Sequence, residues 1–389
     1  MAHCPRLVVV GAVNGKRIRG LQKAAERFSD IVDLHVCNYR DVLQNPQHLA
    51  DALQHGCWLK IDSPAEDAQV QADLILQGRQ RHPQNAHRTS PHAMALGELM
   101  ASDDWYAGLS EALQNIERCI PAGMQINWLN SVDSILLMMD KWKCQQHFIQ
   151  SHICAPKLLG QIRSYNEFKL LMQEHQDITQ CFVKSRYGSS ACGVIAYRHN
   201  RRGRQQALST SAFENGRLIH RKRIHAYTQA YDISSLIDVI AQYGAYVEAW
   251  IAKPALYEHC TYKKSFDIRV VALAGKAQHQ IARASQSPIT NLHLDSERVD
   301  VAKALPAQDI QCMHQAIAQA AGIINGARII GFDAICTRSG TAFIEANAFG
   351  DYLPALLHGG QDTYSAQLMY ILNQSRSENT RHLQEFSHV

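Results

Sequence analysis

The sequence predicts a mixed α/β (α+β) protein of more than one domain, with a parallel sheet first and antiparallel hairpins after it. Three observations carry this. The 389 residues exceed what one ordinary core organises and suffice for two or three. The first 80 residues alternate strand-like and helix-like segments, the pattern of a parallel sheet. Beyond residue 180, apolar runs are joined in pairs by short glycine-bearing turns, the pattern of antiparallel hairpins.

Residues 7–10 form a buried-type strand, 11–15 a turn, 17–28 a helix and 31–36 a second strand. The turn is one residue short of a phosphate-loop spacing and has Arg17 where the hydroxyl belongs, so it reads as a plain strand-to-helix turn. In WLKIDSPAEDAQVQADLIL (58–76), Ser63 is placed as N-cap, Pro64 as the first helical residue and Glu66 as the capping-box acid. Asp62 and Ser63 also stand at the carboxyl end of a strand, where open α/β sheets bind ligands. The polar stretch 78–92 reads as a loop. A boundary falls at 121–130, and Asn130-Ser131 cap a helix over 132–152.

CFVKSRYGSSACGVIAYR (181–198) reads as strand, glycine-bearing turn, strand, and the turn's backbone N–H groups could cover phosphates. Basic residues cluster at 198–204 and 217–223; a hairpin turning at Glu214-Asn215-Gly216 presents the second cluster, which reads as a solvated face. AYVEAWIAKPALY (245–257) is a strand ending at Pro254. SFDIRVVALAGKAQHQIARAS (265–285) is a hairpin turning at Gly275-Lys276, with Asp267 and Arg269 on one face and Arg283 on the partner strand. Residues 306–321 and 362–372 read as helices.

Composition excludes several classes. Hydrophobic content of 46% with 19% charged residues is that of an ordinary globular chain. A net charge of +4 is too small to imply a nucleic-acid partner. Eleven scattered cysteines without a C-x-x-C pair indicate neither a disulfide framework nor a zinc site. The N-terminus lacks a long apolar run and no segment reaches membrane-spanning length, so the expectation is a reduced, cytoplasmic protein without a membrane partner.

The hairpin IIGFDAICTRSGTAFIEANAFGDYLP (329–354) is the most informative stretch. Asp333 interrupts the first apolar run; Glu345 and Asn347 share a face of the second. With the turn at Ser339-Gly340-Thr341, Asp333 lies beside Glu345. Two carboxylates and an amide oxygen repel unless a cation joins them, and an all-oxygen set suits Mg²⁺. The other reading is one acid paired with an arginine and one exposed. If like-charge crowding dominates, removing one carboxylate leaves the metal-free protein as stable or more so.

From about residue 126 to 372 the chain resembles the ATP-grasp superfamily, in the carboxylate-amine ligase branch that includes glutathione synthetase, D-alanine–D-alanine ligase and the ribosomal-protein glutamate ligases. The motifs stand in the family's order. DKW resembles the segment with the first nucleotide lysine, Lys141. FVKSRYGSSACGV is similar to the second lysine, Lys184, with the loop over the phosphates (Gly188, Ser189, Ser190). VEAWI resembles the adenine-reading hinge (Glu248, Trp250, Ile251). DIRVVAL places Asp267 at the ribose and Arg269 near the chemistry; IAR gives Arg283, the arginine that steadies the transferring phosphate. GFDAI and IEAN resemble the metal-binding segments with Asp333, Glu345 and Asn347.

The resemblance implies an ATP-grasp domain over 126–375, with a lid subdomain at about 160–245 and a metal-binding subdomain at about 246–372. Residues 1–125 would be the Rossmann-like pre-ATP-grasp domain, and 376–389 a polar tail. It implies ATP and Mg²⁺, with Mn²⁺ as a substitute, and a ligase joining a small-molecule or peptide carboxylate to an amine. A kinase or other ATP-dependent transferase, or a nucleotide-binding regulatory protein without turnover, remains the alternative. Two departures bear on the substrate. Cys192 falls in the phosphate loop, where a thiol amid backbone N–H groups could ionise in part and react; the other reading is an inert small residue, since a free cysteine is usually buried. SPITNLHLDSERVD (287–300) keeps the family's asparagine, Asn291, without its glycine-rich continuation, so Thr290, Asn291 and His293 are expected to build a different substrate pocket. The IDSP-x-E-D and TNLHL stretches are similar to a smaller group of bacterial ATP-grasp proteins, a likeness that implies no substrate. Self-association as a homodimer is left open.

Overall fold

A computed structural model describes residues 4–93, 97–99, 101–188, 192–256, 264–290, 296–350, 353 and 355–386. The first sheet contains β1 (Arg6–Gly11), β2 (Asp33–Asn38), β3 (Trp58–Ile61) and β4 (Asn127–Trp128) in the order β2-β1-β3-β4, all parallel. The run LVVV in β1 is apolar throughout because both faces are covered. Val8 and Val10 enter a core with Leu74 and Leu109, from the helices Ala68–Arg81 and Ser102–Arg118. Leu7 and Val9 enter another with Ile18 and Leu21 of the helix Lys16–Ala25 and with Tyr364, Leu368 and Ile371 of the last helix, Thr363–Phe386.

The second sheet is antiparallel. Its strands are β5 (Leu158–Ile162), β6 (Gln180–Ser185), β7 (Val194–His199), β8 (Gln205–Glu214), β9 (Arg217–Tyr227) and β10 (Ala245–Ala249), ordered β5-β10-β6-β7-β8-β9. The helices Tyr165–Glu174 and Ala230–Ala241 cover one face through Phe168, Ile233, Leu236, Ile237 and Ile240. The other face carries Phe182, Val194, Ala196 and Leu208, packed with Trp250 and Ile289. The β8–β9 hairpin turns where expected: Asn215 and Gly216 have φ of 49° and 76°, as a two-residue turn of the primed type requires.

The third sheet joins β11 (Ala255–Leu256), β12 (Lys264–Leu273), β13 (Lys276–Ser285), β14 (Glu297–Val299), β15 (Ile329–Thr337) and β16 (Gly340–Asn347). Its order is β14-β13-β12-β15-β16, with β11 paired to β12. Phe266, Ile268, Val270, Phe332 and Phe343 point into a core shared with Met313 and Ile317 of the helix Ala307–Gly322 and with Phe148 of the helix Lys141–Gln150.

Several boundaries differ from the sequence expectation, each for a local reason. Ser63 caps only a short 3₁₀ turn, Pro64–Glu66; Asp67 caps the following helix by accepting from Gln69 and Val70 N–H. Glu66 turns away to accept from the Arg17 backbone N–H at 3.0 Å. The helix expected over 132–152 is broken at Asp140 into Val132–Met139 and Lys141–Gln150. Asp140 caps the second piece through Lys143 N–H while Arg186 grips both its oxygens at 2.7 and 2.6 Å. The last helix runs on to Phe386, since no glycine or proline interrupts residues 373–386. No helix among the described residues is long and apolar enough to cross a membrane.

Candidate active site

The second and third sheets face each other across a cleft. One wall comes from the second sheet: Phe182, Lys184 and Ser185 of β6, Val194 of β7 and Glu248 of β10. The other comes from the third: Asp267 and Arg269 of β12, Arg283 of β13, Asp333 and Ile335 of β15, Ile344 and Glu345 of β16. Lys141, Gly188, Cys192, Ile251, Lys253, Ile289 and Thr290 also line it.

Strand register brings the third-sheet residues together. Asp267 lies opposite Arg283, Arg269 opposite Asp333, and Asp333 opposite Glu345. Gly331 faces Asn347 two pairs further on. A bulge between Asp333 and Ala334 interrupts the ladder just beside the acidic pair. The hairpin turns at Arg338-Ser339, with Gly340 at φ 124° beginning β16, one residue earlier than expected.

Each carboxylate has cationic partners. Asp333 pairs with Arg269 Nε at 2.5 Å and Arg283 Nη2 at 3.1 Å; Glu345 pairs with Lys141 Nζ. Asn347 donates from Nδ2 to the Gly331 carbonyl at 2.9 Å, which commits its nitrogen and leaves its oxygen as the free-standing acceptor type. Burial alone would push the Glu345 carboxyl up, but Lys141, with Arg269 and Lys184 behind it, holds it below the usual range. It is therefore charged at neutral pH. Among the described residues no cluster of three His, Cys, Asp or Glu side chains forms a ready metal cage. The donor set is instead two carboxylates on adjacent strands plus an amide oxygen. That set fits Mg²⁺, which takes one or two protein carboxylates and fills its other positions with water and phosphate.

The wall opposite is also paired. Lys184 Nζ contacts Glu248 Oε1, and the buried Gln145 donates to Glu248 Oε2 at 2.7 Å and to the Ile344 carbonyl at 2.9 Å. Trp250 lies beside the cleft wall: its ring packs 4.9 Å from that of Phe182 and its backbone N–H donates to the Gln180 carbonyl. Asp140 and Arg186 link the two lysines. Lys141 N–H donates to the Arg186 carbonyl at 3.1 Å, and Arg186 stands two residues beyond Lys184. Ser189, Ser190, Asn291 and His293 lie outside the described residues.

Burial pushes the Cys192 thiol up to about 11, so a reactive thiolate is absent at neutral pH and the inert reading is favoured. Brief maleimide labelling at pH 7.5 is expected to mark the exposed Cys154 and Cys312 before Cys192, as read by peptide mass mapping. Labelling of Cys192 ahead of both would overturn this assignment.

Sequence reasoning missed Lys253, Gln145 and the Asp140–Arg186 clamp. Gln145 had a signal, one polar residue on the buried stripe of an amphipathic helix. Lys253 had none, because a lysine before a proline reads as exposed turn.

No family model matches the chain, and no curated protein matches it. Solved structures do, along nearly the whole length. D-Alanine–D-alanine ligase from Bacillus anthracis complexed with ATP aligns with a TM-score of 0.51 and 11% identity over 98% of this chain and 99% of that one. ATP-grasp ligase PsnB, complexed with a phosphomimetic variant of its minimal precursor, Mg and ADP, gives 0.53 and 13% over 95% and 98%. D-Cycloserine synthetase DcsG gives 0.55 and 8% over 95% and 99%. At such identities the likeness is one of fold.

Proposed function

The chain has the ATP-grasp fold, and on that scaffold we propose that the central cleft binds Mg–ATP, activates a carboxylate and joins it to an amine. The observation that carries this reading is the row of paired charges across β13, β12, β15 and β16, facing Lys141 and Lys184 in one cleft. Five cationic side chains line the cleft against four anionic ones, so it suits a polyanion. The fold supports the reading, since the solved structures it resembles are ligases by name.

In this account Phe182, Val194 and Ile251 take the base, and Lys141 and Lys184 turn from Glu345 and Glu248 to the phosphates. Asp333, Glu345 and Asn347 hold the metal, which when bound offsets charge that builds up on the phosphates. Arg283 and Arg269 orient the terminal phosphate. A substrate carboxylate oxygen attacks the γ-phosphorus, the bond to the β-phosphate oxygen breaks, and ADP leaves. The amine then attacks the acyl carbon, phosphate departs, and the nitrogen loses a proton. The protein's own work is positioning and charge stabilisation, with no covalent nucleophile.

The test is a screen of pooled small-molecule and peptide carboxylates with amines, following ADP and phosphate release and reading products by mass. A condensed product supports ligation. A phosphorylated product without amine incorporation assigns a kinase. Nucleotide binding without any turnover assigns a regulatory protein, a reading that the ion-paired state of Asp333 and Glu345 keeps in view.

A further inference from the structure

Lys253 belongs to a cationic corner of the cleft that this account does not use. It stands two residues beyond Ile251, its side chain is 8% exposed, and it nevertheless forms part of the cleft wall. An ammonium so placed needs partners. Its Nζ lies 3.0 Å from Asp267 Oδ2 and donates at 2.6 Å to Thr290 Oγ1, and Thr290 donates in turn to the same Asp267 oxygen. The other oxygen of Asp267 accepts from Arg283 Nε at 2.8 Å.

One carboxylate thus serves two buried cations. Arg283 also reaches Asp333, but Asp333 is shared with Arg269. Along this row Lys253 and Arg283 share Asp267, and Arg283 and Arg269 share Asp333. Burial alone would push the Asp267 carboxyl up, but Arg283 and Lys253 hold it well below the usual carboxylate range, so it stays charged. Asp267 and Thr290 occupy two of the three ammonium donors of Lys253. The adjoining wall, Pro288 and Ile289, is apolar and keeps water from an anion bound there, which strengthens charge-assisted hydrogen bonds.

We propose that Lys253 and Thr290, held together by Asp267, form an oxyanion subsite beside Arg283. The oxyanion is the terminal phosphate of the nucleotide or the carboxylate of the second substrate. Asp267 becomes a positioning residue: both its oxygens are engaged by Lys253, Thr290 and Arg283 and are not turned toward a ribose. The identity of the ligand rests on the ligase reading; the cluster of Lys253, Thr290 and Asp267 in the cleft wall does not.

Calorimetry on Lys253→Met, Lys253→Arg and Thr290→Val tests this, with the exposed-turn variant Lys276→Met as control. Two arms separate the sources: Mg–AMP-PNP against Mg–ADP for the terminal phosphate, and glutarate titrated into the Mg–AMP-PNP complex for a carboxylate. Lys253→Met is expected to lose about tenfold or more in one arm, the scale of a charged hydrogen bond. A loss for AMP-PNP with ADP unchanged assigns the phosphate; a loss for glutarate alone assigns the carboxylate. Lys253→Arg keeps most of the affinity, and Thr290→Val loses less in the same arm. If Lys253→Met does not fold, Lys253→Arg and Thr290→Val decide by the same contrast. Affinities matching those of Lys276→Met in both arms overturn the subsite. If the wild type binds no nucleotide, the ligase reading fails, and glutarate titrated into the free protein and its variants still decides the subsite.

Discussion

Glu345→Gln is expected to cut ATP turnover by about 10²–10³-fold while barely changing the metal-free melting temperature. The first part follows from losing a charged metal ligand at the point where phosphoryl transfer builds up charge. The second follows from the pairing. Glu345 and Lys141 are 25% and 14% exposed in their side chains and face the open cleft, so water and Arg269 take over part of what either loses when the pair is broken. The simple like-charge argument predicts a gain in stability. That gain is cancelled because Asp333 already has Arg269 and Arg283, and Glu345 already has Lys141. Melting in EDTA and steady-state ADP release measure the two halves. A fall on the scale of a broken buried pair, about 3–5 kcal/mol, with turnover retained, would assign these acids to the fold and not to a metal.

Gly78→Ala is expected to destabilise the protein by about 2 kcal/mol or more, against the gain of up to about 1 kcal/mol that alanine brings to a helix. The helices Ala68–Arg81 and Ser102–Arg118 cross where glycine faces glycine. A Cβ on Gly78 would collide with the Asp104 carbonyl, and one on Gly108 with the Leu74 carbonyl. Both obstacles are backbone, so the helices must part. The same crossing presents the buried Asp104 carboxylate to Arg79 at 3.2 Å, Arg88 at 3.1 Å and Asn85 at 2.6 Å, and parting the helices loosens that network too. Gly78→Ala and Gly108→Ala should add incompletely, because one separation relieves both contacts. Urea unfolding of the two single variants and the double variant reads this. Unchanged midpoints would mean that the helices sit further apart.

The hairpins and the third-sheet register were legible because side-chain alternation is a strict two-residue period. Spacing alone puts Asp333 beside Glu345, and Asp267 and Arg269 on one face with Arg283 on the partner strand, and the register agrees; spacing does not tell that β15 lies beside β12 and brings Asp333 to Arg269. The helix break at Asp140 was not legible. It depends on Arg186, which is 46 residues away in the chain and meets Asp140 only through the tertiary fold. The burial of Lys253 was hidden for the same reason: its partners Asp267 and Thr290 lie 14 and 37 residues further on. Local pattern reports which face a residue takes; it does not report which distant charge waits on that face.

The central claim is that this cleft receives the phosphates of a nucleotide between Lys141 and Lys184. Calorimetric titration of Mg–AMP-PNP into the wild type, Lys141→Ala and Lys184→Ala tests it most directly, with circular dichroism to confirm the native fold. The account predicts saturable binding to the wild type, weakened in each variant by about 1.5–3 kcal/mol, the scale of a hydrogen bond to a charged group. Undiminished affinity in both folded variants would contradict it.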